Sequence, residues 1–251
     1  TNIVWFAGRL LALEEQHAPF ALDPATLDPL GYDTFGDGLN GPFTAHPKFD
    51  PVTGEMVFFG YSAKGRFSPF ASIQTADREG RITRAEMLEL PFASMIHDFA
   101  VTRNWIVLPV FPLTGSMERA VSGRPPYAWE PDKGTRIALI PRAGSLAQTR
   151  WFDAPPCYVF HPMNHFENAA GQVVLEIEAD AGALGDHDVL VQNGALDAAV
   201  AADLDAVEDD RGLDLGVTVD AAVGGDHRVG DPRTGHDGAG GDHRVQGLAE
   251  P

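Results

Sequence analysis

Three histidines carry the most chemical information in this chain. His46 lies in Phe43-Thr44-Ala45-His46-Pro47-Lys48-Phe49, His97 in Met95-Ile96-His97-Asp98-Phe99, and His161 in Phe160-His161-Pro162-Met163-Asn164. They stand 51 and then 64 positions apart, each among apolar or aromatic residues. A single histidine in such a setting is more often a satisfied core residue than a ligand. Three in similar settings fit a metal site assembled from distant strands, because a neutral imidazole gives a metal one lone pair while its other nitrogen donates a hydrogen bond. His161 and His165 also form an i, i+4 pair of the kind that chelates zinc from one helix face. Pro162 and the apolar stretch before it argue against that helix, and no Glu follows the first histidine as a hydrolytic base. Gly60-Tyr61-Ser62-Ala63-Lys64-Gly65 is one residue out of register for a hydrolase elbow, and no phosphate-cradling glycine loop occurs.

Histidines so far apart must be carried by separate elements, and the chain around them reads as short strands. Stretches at 3–6, 8–13, 56–61, 73–75, 105–111, 135–140, 158–161 and 173–177 are apolar or alternating, with Gly, Pro, Asp or Asn nearby. The pattern predicts an all-β fold. In Asp50-Pro51-Val52-Thr53-Gly54-Glu55 the proline presets φ and the glycine supplies a positive φ, so 48–49 and 56–61 are expected to pair as a hairpin with His46 just ahead of it. Regularly spaced short strands suit a sandwich, a barrel or a propeller, and spacing does not choose among them.

Composition sets the outer bounds. A formal charge of -18, with Lys and Arg scattered, argues against nucleic acid as a partner, since phosphate binding needs a basic stripe. No run approaches the roughly 18 apolar residues of a transmembrane helix. The start, Thr1-Asn2-Ile3-Val4-Trp5, has neither Met nor a basic n-region, so the chain is expected to be clipped there rather than secreted. The one cysteine, Cys157, excludes an internal disulfide and a cysteine-built zinc cluster, fits a cytoplasmic location, and is expected to pack in the core. Residues 181–251 differ from 1–180: they hold 15 acidic and 4 basic residues and no aromatic residue. Such an acidic, low-complexity tail is expected to be solvated or disordered, or to be an out-of-frame end.

The contexts Ala45-His46-Pro47-Lys48, His97-Asp98-Phe99-Ala100-Val101-Thr102 and Phe160-His161-Pro162 together resemble the carotenoid cleavage oxygenases, the non-haem iron family that includes the lignostilbene dioxygenases. The resemblance covers residues 1–180. It implies a seven-bladed β-propeller with the metal on its axis. At roughly 40 to 50 residues per blade, those residues supply about four blades, an incomplete ring. It also implies Fe(2+) held by four imidazoles, of which His46, His97 and His161 would be the first three. The fourth belongs near the family C-terminus. None of His187, His227, His236 and His243 sits in a matching context, so none is assigned. Leu11-Ala12-Leu13-Glu14-Glu15 resembles the segment carrying a glutamate that accepts the outer N–H of a ligand, which makes Glu15 the expected partner of His97.

The activity so implied is cleavage of a carbon–carbon double bond by O2 to give two carbonyl products. The substrate would be a small apolar polyene or stilbene-like molecule, with Phe43, Phe99, Trp105 and Phe160 as candidates to line its tunnel. Stilbene-cleaving members carry a lysine just before the glutamate, and Glu14 stands there instead. A carboxylate would repel a phenolate, which favours a carotenoid or apocarotenoid over a stilbene. The alternatives are a stilbene-cleaving dioxygenase, or a partially folded fragment without activity.

Overall fold

The longest apolar runs of this chain are strands buried on both faces. The computed structural model describes residues 1–177 and 189–191. The rest of the acidic 181–251 segment, its four histidines included, lies outside the described residues.

The fold is all-β, as expected, with a single short α-helix among the described residues. Strands β1 (Asn2–Phe6), β2 (Arg9–Leu13), β3 (Phe20–Leu22) and β4 (Pro29–Tyr32) form a four-stranded meander. A second sheet follows in the order β5 (Lys48–Phe49), β6 (Met56–Gly60), β7 (Phe70–Ala76) and β8 (Ile82–Glu89). The third runs β9 (Ala100–Val101), β10 (Trp105–Val110), β13 (Thr135–Pro141) and β14 (Arg150–Ala154). Between β10 and β13 the chain inserts a small ribbon, β11 (Leu113–Gly115) with β12 (Tyr127–Trp129), and helix α1 (Met117–Val121). The last sheet is β15 (Pro162–Glu167), β16 (Val173–Ile177) and β17 (Val189–Val191), and every named pair of strands is antiparallel.

Alternation along the central strands explains how these sheets stack. In β6, Met56 and Phe58 join Phe6, Leu11 and Leu13 in a core against the first sheet, while Val57 and Phe59 face the other way onto Ile106, Leu108 and Ile140 of the third. In the third sheet Ala138 and Ile140 share that second core, and Ile137, Leu139 and Val107 turn to the opposite side to meet Val173, Leu175 and Ile177. A period-2 strand with cores on both faces must be apolar at every position, so these strands read as continuous runs. The outer strand β8 has one solvated face and the charges Arg84, Glu86 and Glu89, which hide it in the sequence.

Two of the strands that open a sheet, β5 and β9, are only two residues long, and the 50–55 turn is built as the sequence implies. Asp50 Oδ1 accepts from the Val52 and Thr53 amides at 2.8 and 3.1 Å, and Gly54 takes φ 75°. The hairpin pairs Lys48 with Val57 and Phe49 with Met56. Beyond it, Arg142 ties that turn to the segment after β9: it meets Asp50 Oδ2 at 2.7 Å, Glu55 Oε2 at 3.1 Å and the Thr102 carbonyl at 3.1 Å. Glu167, at the end of β15, accepts from Thr102 Oγ1 at 2.6 Å and from the Asn104 amide at 2.7 Å. The strands that open the second, third and fourth sheets are thus tied together at their C-terminal ends.

One expected strand is not a strand. Residues 158–161 form no ladder and bend at Phe160 and His161, and β15 begins at Pro162. Cys157 and Val159 do turn inward, but Thr135 Oγ1 takes the place of a strand partner: it accepts from the Cys157 amide at 3.0 Å and donates to its carbonyl at 3.4 Å. Cys157 packs in the core, where burial pushes its thiol pKa up.

Two outcomes test this packing. Phe58 is fully buried, its ring 4.2 Å from Phe43 and 5.9 Å from Phe35, centroid to centroid. Phe58→Ala should cost about 3 to 5 kcal/mol in urea unfolding, whereas Val52→Ala at the exposed turn should stay within about 0.5 kcal/mol. The Thr53 and Val52 amides, then Arg142, hold the Asp50 carboxyl down at about 2. A depressed carboxyl adds stability above its ordinary value near 4, and loses it as pH falls through its folded value. Asp50→Asn should therefore flatten the fall of Tm between about pH 4 and pH 2, and an unchanged acid limb would show that the turn contributes nothing.

Candidate metal centre

Each of the three histidines sits just ahead of a sheet-opening strand: His46 before β5, His97 before β9 and His161 before β15. Because β5, β9 and β15 occupy the same place at the edge of successive sheets, stacking the sheets brings the three residues to one point. The structure does so. Ring centroids are 4.7 Å apart for His46 and His97, 4.6 Å for His46 and His161, and 4.8 Å for His97 and His161. Their candidate donor atoms all lie within 4.8 Å of one another.

The outward nitrogens decide what the inward ones can do. His97 Nδ1 meets Glu15 Oε1, and Glu15 Oε2 accepts from the Tyr61 hydroxyl at 2.7 Å. His161 Nδ1 lies 3.2 Å from Asp98 Oδ2, and Asp98 Oδ1 pairs with Lys48 Nζ at 2.7 Å. A carboxylate accepts only, so both histidines carry their proton on Nδ1 and direct an Nε2 lone pair inward. His46 is fixed by its backbone, whose amide donates to Thr44 Oγ1 at 3.0 Å.

His46 Nε2 lies 3.0 Å from His97 Nε2. Two imidazole nitrogens about 2.1 Å from one ion and at right angles would be about 3.0 Å apart, so the pair is spaced as neighbouring ligands. Burial depresses the His46 pKa, and the nearby His97, His161 and Lys48 depress it further against the pull of Asp98. The ring is therefore neutral at pH 7, which leaves a lone pair for a metal. The neutral-nitrogen donor set suits a borderline divalent ion such as Fe(II), Co(II) or Zn(II).

Around this group the Glu15 carboxylate also acts on the tyrosines. Burial and the Glu15 carboxylate push the Tyr61 hydroxyl pKa far up, so Tyr61 stays a donor. Burial, then Glu15, raise Tyr158 to about 12. Of the four aromatic residues expected near a substrate, Phe43 and Phe99 are instead fully buried between sheets, and Trp105 packs on the core of the third and fourth. Phe160 alone meets the site, its ring 5.4 Å from that of His97 and 57% exposed. His165 lies on β15 with Nδ1 buried and unpartnered, outside the histidine group.

Glu15 stands where sequence reasoning put it, beside His97. Asp98, Lys48 and Tyr61 were not anticipated. The signal for Asp98 and Lys48 was their place beside histidines in His97-Asp98 and His46-Pro47-Lys48; Tyr61, in an apolar strand end, left none.

Comparison with known proteins fits this geometry. The family model described as retinal pigment epithelial membrane protein matches residues 1–207. Isoeugenol monooxygenase of Pseudomonas putida is 44% identical over 168 residues, which is 66% of this chain and 35% of that protein. Among solved structures, lignostilbene dioxygenase of Pseudomonas brassicacearum superposes with a TM-score of 0.68 at 36% identity, over 71% of this chain and 38% of the other. Cobalt-substituted Synechocystis apocarotenoid oxygenase gives 0.63 at 29% identity, over 71% and 39%. The chain thus spans about a third of the length of the curated relative it matches. With the family model running through all three histidine segments and Glu15, the chain belongs to the carotenoid cleavage oxygenase family.

Proposed function

We propose that this chain supplies an iron site for oxidative cleavage of a carbon–carbon double bond in a small apolar conjugated alkene, giving two carbonyl products. The observation that carries the proposal is the convergence of His46, His97 and His161 with two of the three outer nitrogens held by carboxylates. These three residues would hold the iron. When bound, it supplies the means of activating O2 next to the alkene. Neutral imidazoles leave the ion's charge uncompensated, while Glu15 and Asp98 sit one bond further out and fix the rings. Phe160 beside His97 offers an apolar approach for the alkene.

The same family membership supports reading the stacked meanders as blades of a seven-bladed propeller, with β5, β9 and β15 as axial strands. Among the described residues the sheets do not close into a ring. No helix among them is long and apolar enough to cross a membrane.

For the substrate, Glu14 favours a carotenoid or apocarotenoid. Its carboxylate, paired with His17 on the surface, would repel a phenolate. A phenolic alkene is the second reading, favoured by the names of the isoeugenol and lignostilbene relatives.

Incubation of the iron-loaded protein with a β-apocarotenal, a 4-hydroxystilbene or isoeugenol under O2 tests both. We expect aldehyde release that needs iron and disappears in His46→Ala, His97→Ala and His161→Ala. Glu14→Lys should shift preference toward the phenolic substrates. No aldehyde above the metal-free blank from any of the three, with iron bound, would overturn the proposed activity.

A further inference from the structure

Asp98 touches all three ligand-bearing segments. It follows His97 in the chain, its Oδ1 pairs with Lys48 in the His46 segment at 2.7 Å, and its Oδ2 faces His161 Nδ1 at 3.2 Å. Its side chain is only 6% exposed. Behind it lies a cavity of about 10 Å³ walled largely by apolar groups, Ala100, Pro109, Phe111 and Val159 among them. A carboxylate so placed needs polar partners, and both oxygens have them: besides Lys48 on Oδ1 and His161 on Oδ2, the Phe99 amide donates to Oδ1 at 2.7 Å. Lys48 is held in turn, its ammonium 5.6 Å from the Phe99 ring centroid.

The two carboxylates of the site are therefore not equivalent. Glu15 faces His97 with only the neutral Tyr61 hydroxyl on its other oxygen. Asp98 faces His161 with a full positive charge on its other oxygen. A carboxylate that accepts an imidazole N–H makes the ring a stronger donor to a metal, and an ammonium on the same carboxylate draws that effect back. His161 is also the most exposed of the three rings, 54% against 20% for His97, so packing does less to hold it.

We propose that Asp98 and Lys48 act together as positioning residues for His161, Asp98 orienting its ring and strengthening it as a ligand, and Lys48 attenuating that strength. This rests on the metal-site proposal above. The roles have opposite signs, and that separates them from a simple structural clasp, whose loss from either side would loosen the site.

Co(II) titration of the full chain, followed by ligand-field absorption and paired with thermal melts, tests this without turnover. Asp98→Asn should weaken Co(II) binding about 10- to 100-fold and shift the absorption band. Lys48→Gln, which keeps an N–H donor on a slightly shorter side chain but carries no charge, should strengthen binding about two- to fivefold, the size of partly exposed charge effects. Lys48→Arg should stay near the parent. In a His161→Ala background, Asp98→Asn should have less than about a twofold effect, because Asp98 acts through that ring. Weakening by both Asp98→Asn and Lys48→Gln would overturn the proposal in favour of a clasp, and unaltered affinity and spectrum in both would overturn it outright. An equal Asp98→Asn effect with and without His161 would also overturn it. Failure of the parent chain to bind Co(II) would overturn this proposal and the metal site together.

Discussion

An imidazole can turn a lone pair toward a metal only when its proton is held on the opposite nitrogen. The rest of the structure can be read from this requirement. Glu15 meets it for His97 and Asp98 meets it for His161, and each carboxylate must then be satisfied on its second oxygen, by Tyr61 and by Lys48. Without the carboxylates, two neutral rings 3.0 Å apart would settle as a donor and an acceptor to each other, and the inward lone pair would be lost. The polar shell therefore decides whether the three histidines form a ligand set or a stack of hydrogen-bonded rings.

The sheets serve that requirement by repetition. Each histidine needs a rigid backbone that ends at the same place, and successive meanders offer the start of the first strand as such a place. Burying both faces of β6, β10 and β13 locks neighbouring sheets together, at about 1.5 to 3 kcal/mol for each large apolar side chain removed from water. Arg142 and Glu167 then fix the far ends of the opening strands through Asp50, Thr102 and Asn104. Between the apolar cores and these polar ties, the short strands β5 and β9 have little freedom to carry their histidines elsewhere.

How much of this was legible in the sequence follows from what each residue had to do. The all-β class and the 48–60 hairpin were readable because a strand with two buried faces is apolar throughout and the 50–55 turn has its own chemistry. Strands β5 and β9 are too short to show any period, and β8 was masked by its charges: Glu89 lies on its solvated face, while Arg84 and Glu86 pair with each other on the packed one. The segment at 158–161 carries strand-like alternation but has no ladder, and the Cys157 backbone just before it bonds to the Thr135 side chain, a substitution that no local pattern reveals. His46, His97 and His161 stood out because a histidine among apolar neighbours is unusual in three places at once. Asp98 and Lys48 did not, because a charge next to a histidine is ordinarily solvated and only the tertiary structure turns these two toward each other. Phe43 and Phe99 fill the core rather than a tunnel for the same reason: an aromatic residue near a candidate ligand in sequence is most often filling the core that positions it.

The central claim is that one metal ion binds all three imidazoles. X-ray absorption at the iron edge of the protein reconstituted without oxygen tests it most directly. The account predicts one iron per chain, with nitrogen neighbours at about 2.1 Å and the outer-shell scattering of three imidazole rings, falling to two in His46→Ala, His97→Ala or His161→Ala. Iron surrounded by oxygen neighbours without imidazole scattering, or a spectrum unchanged by those substitutions, would contradict it.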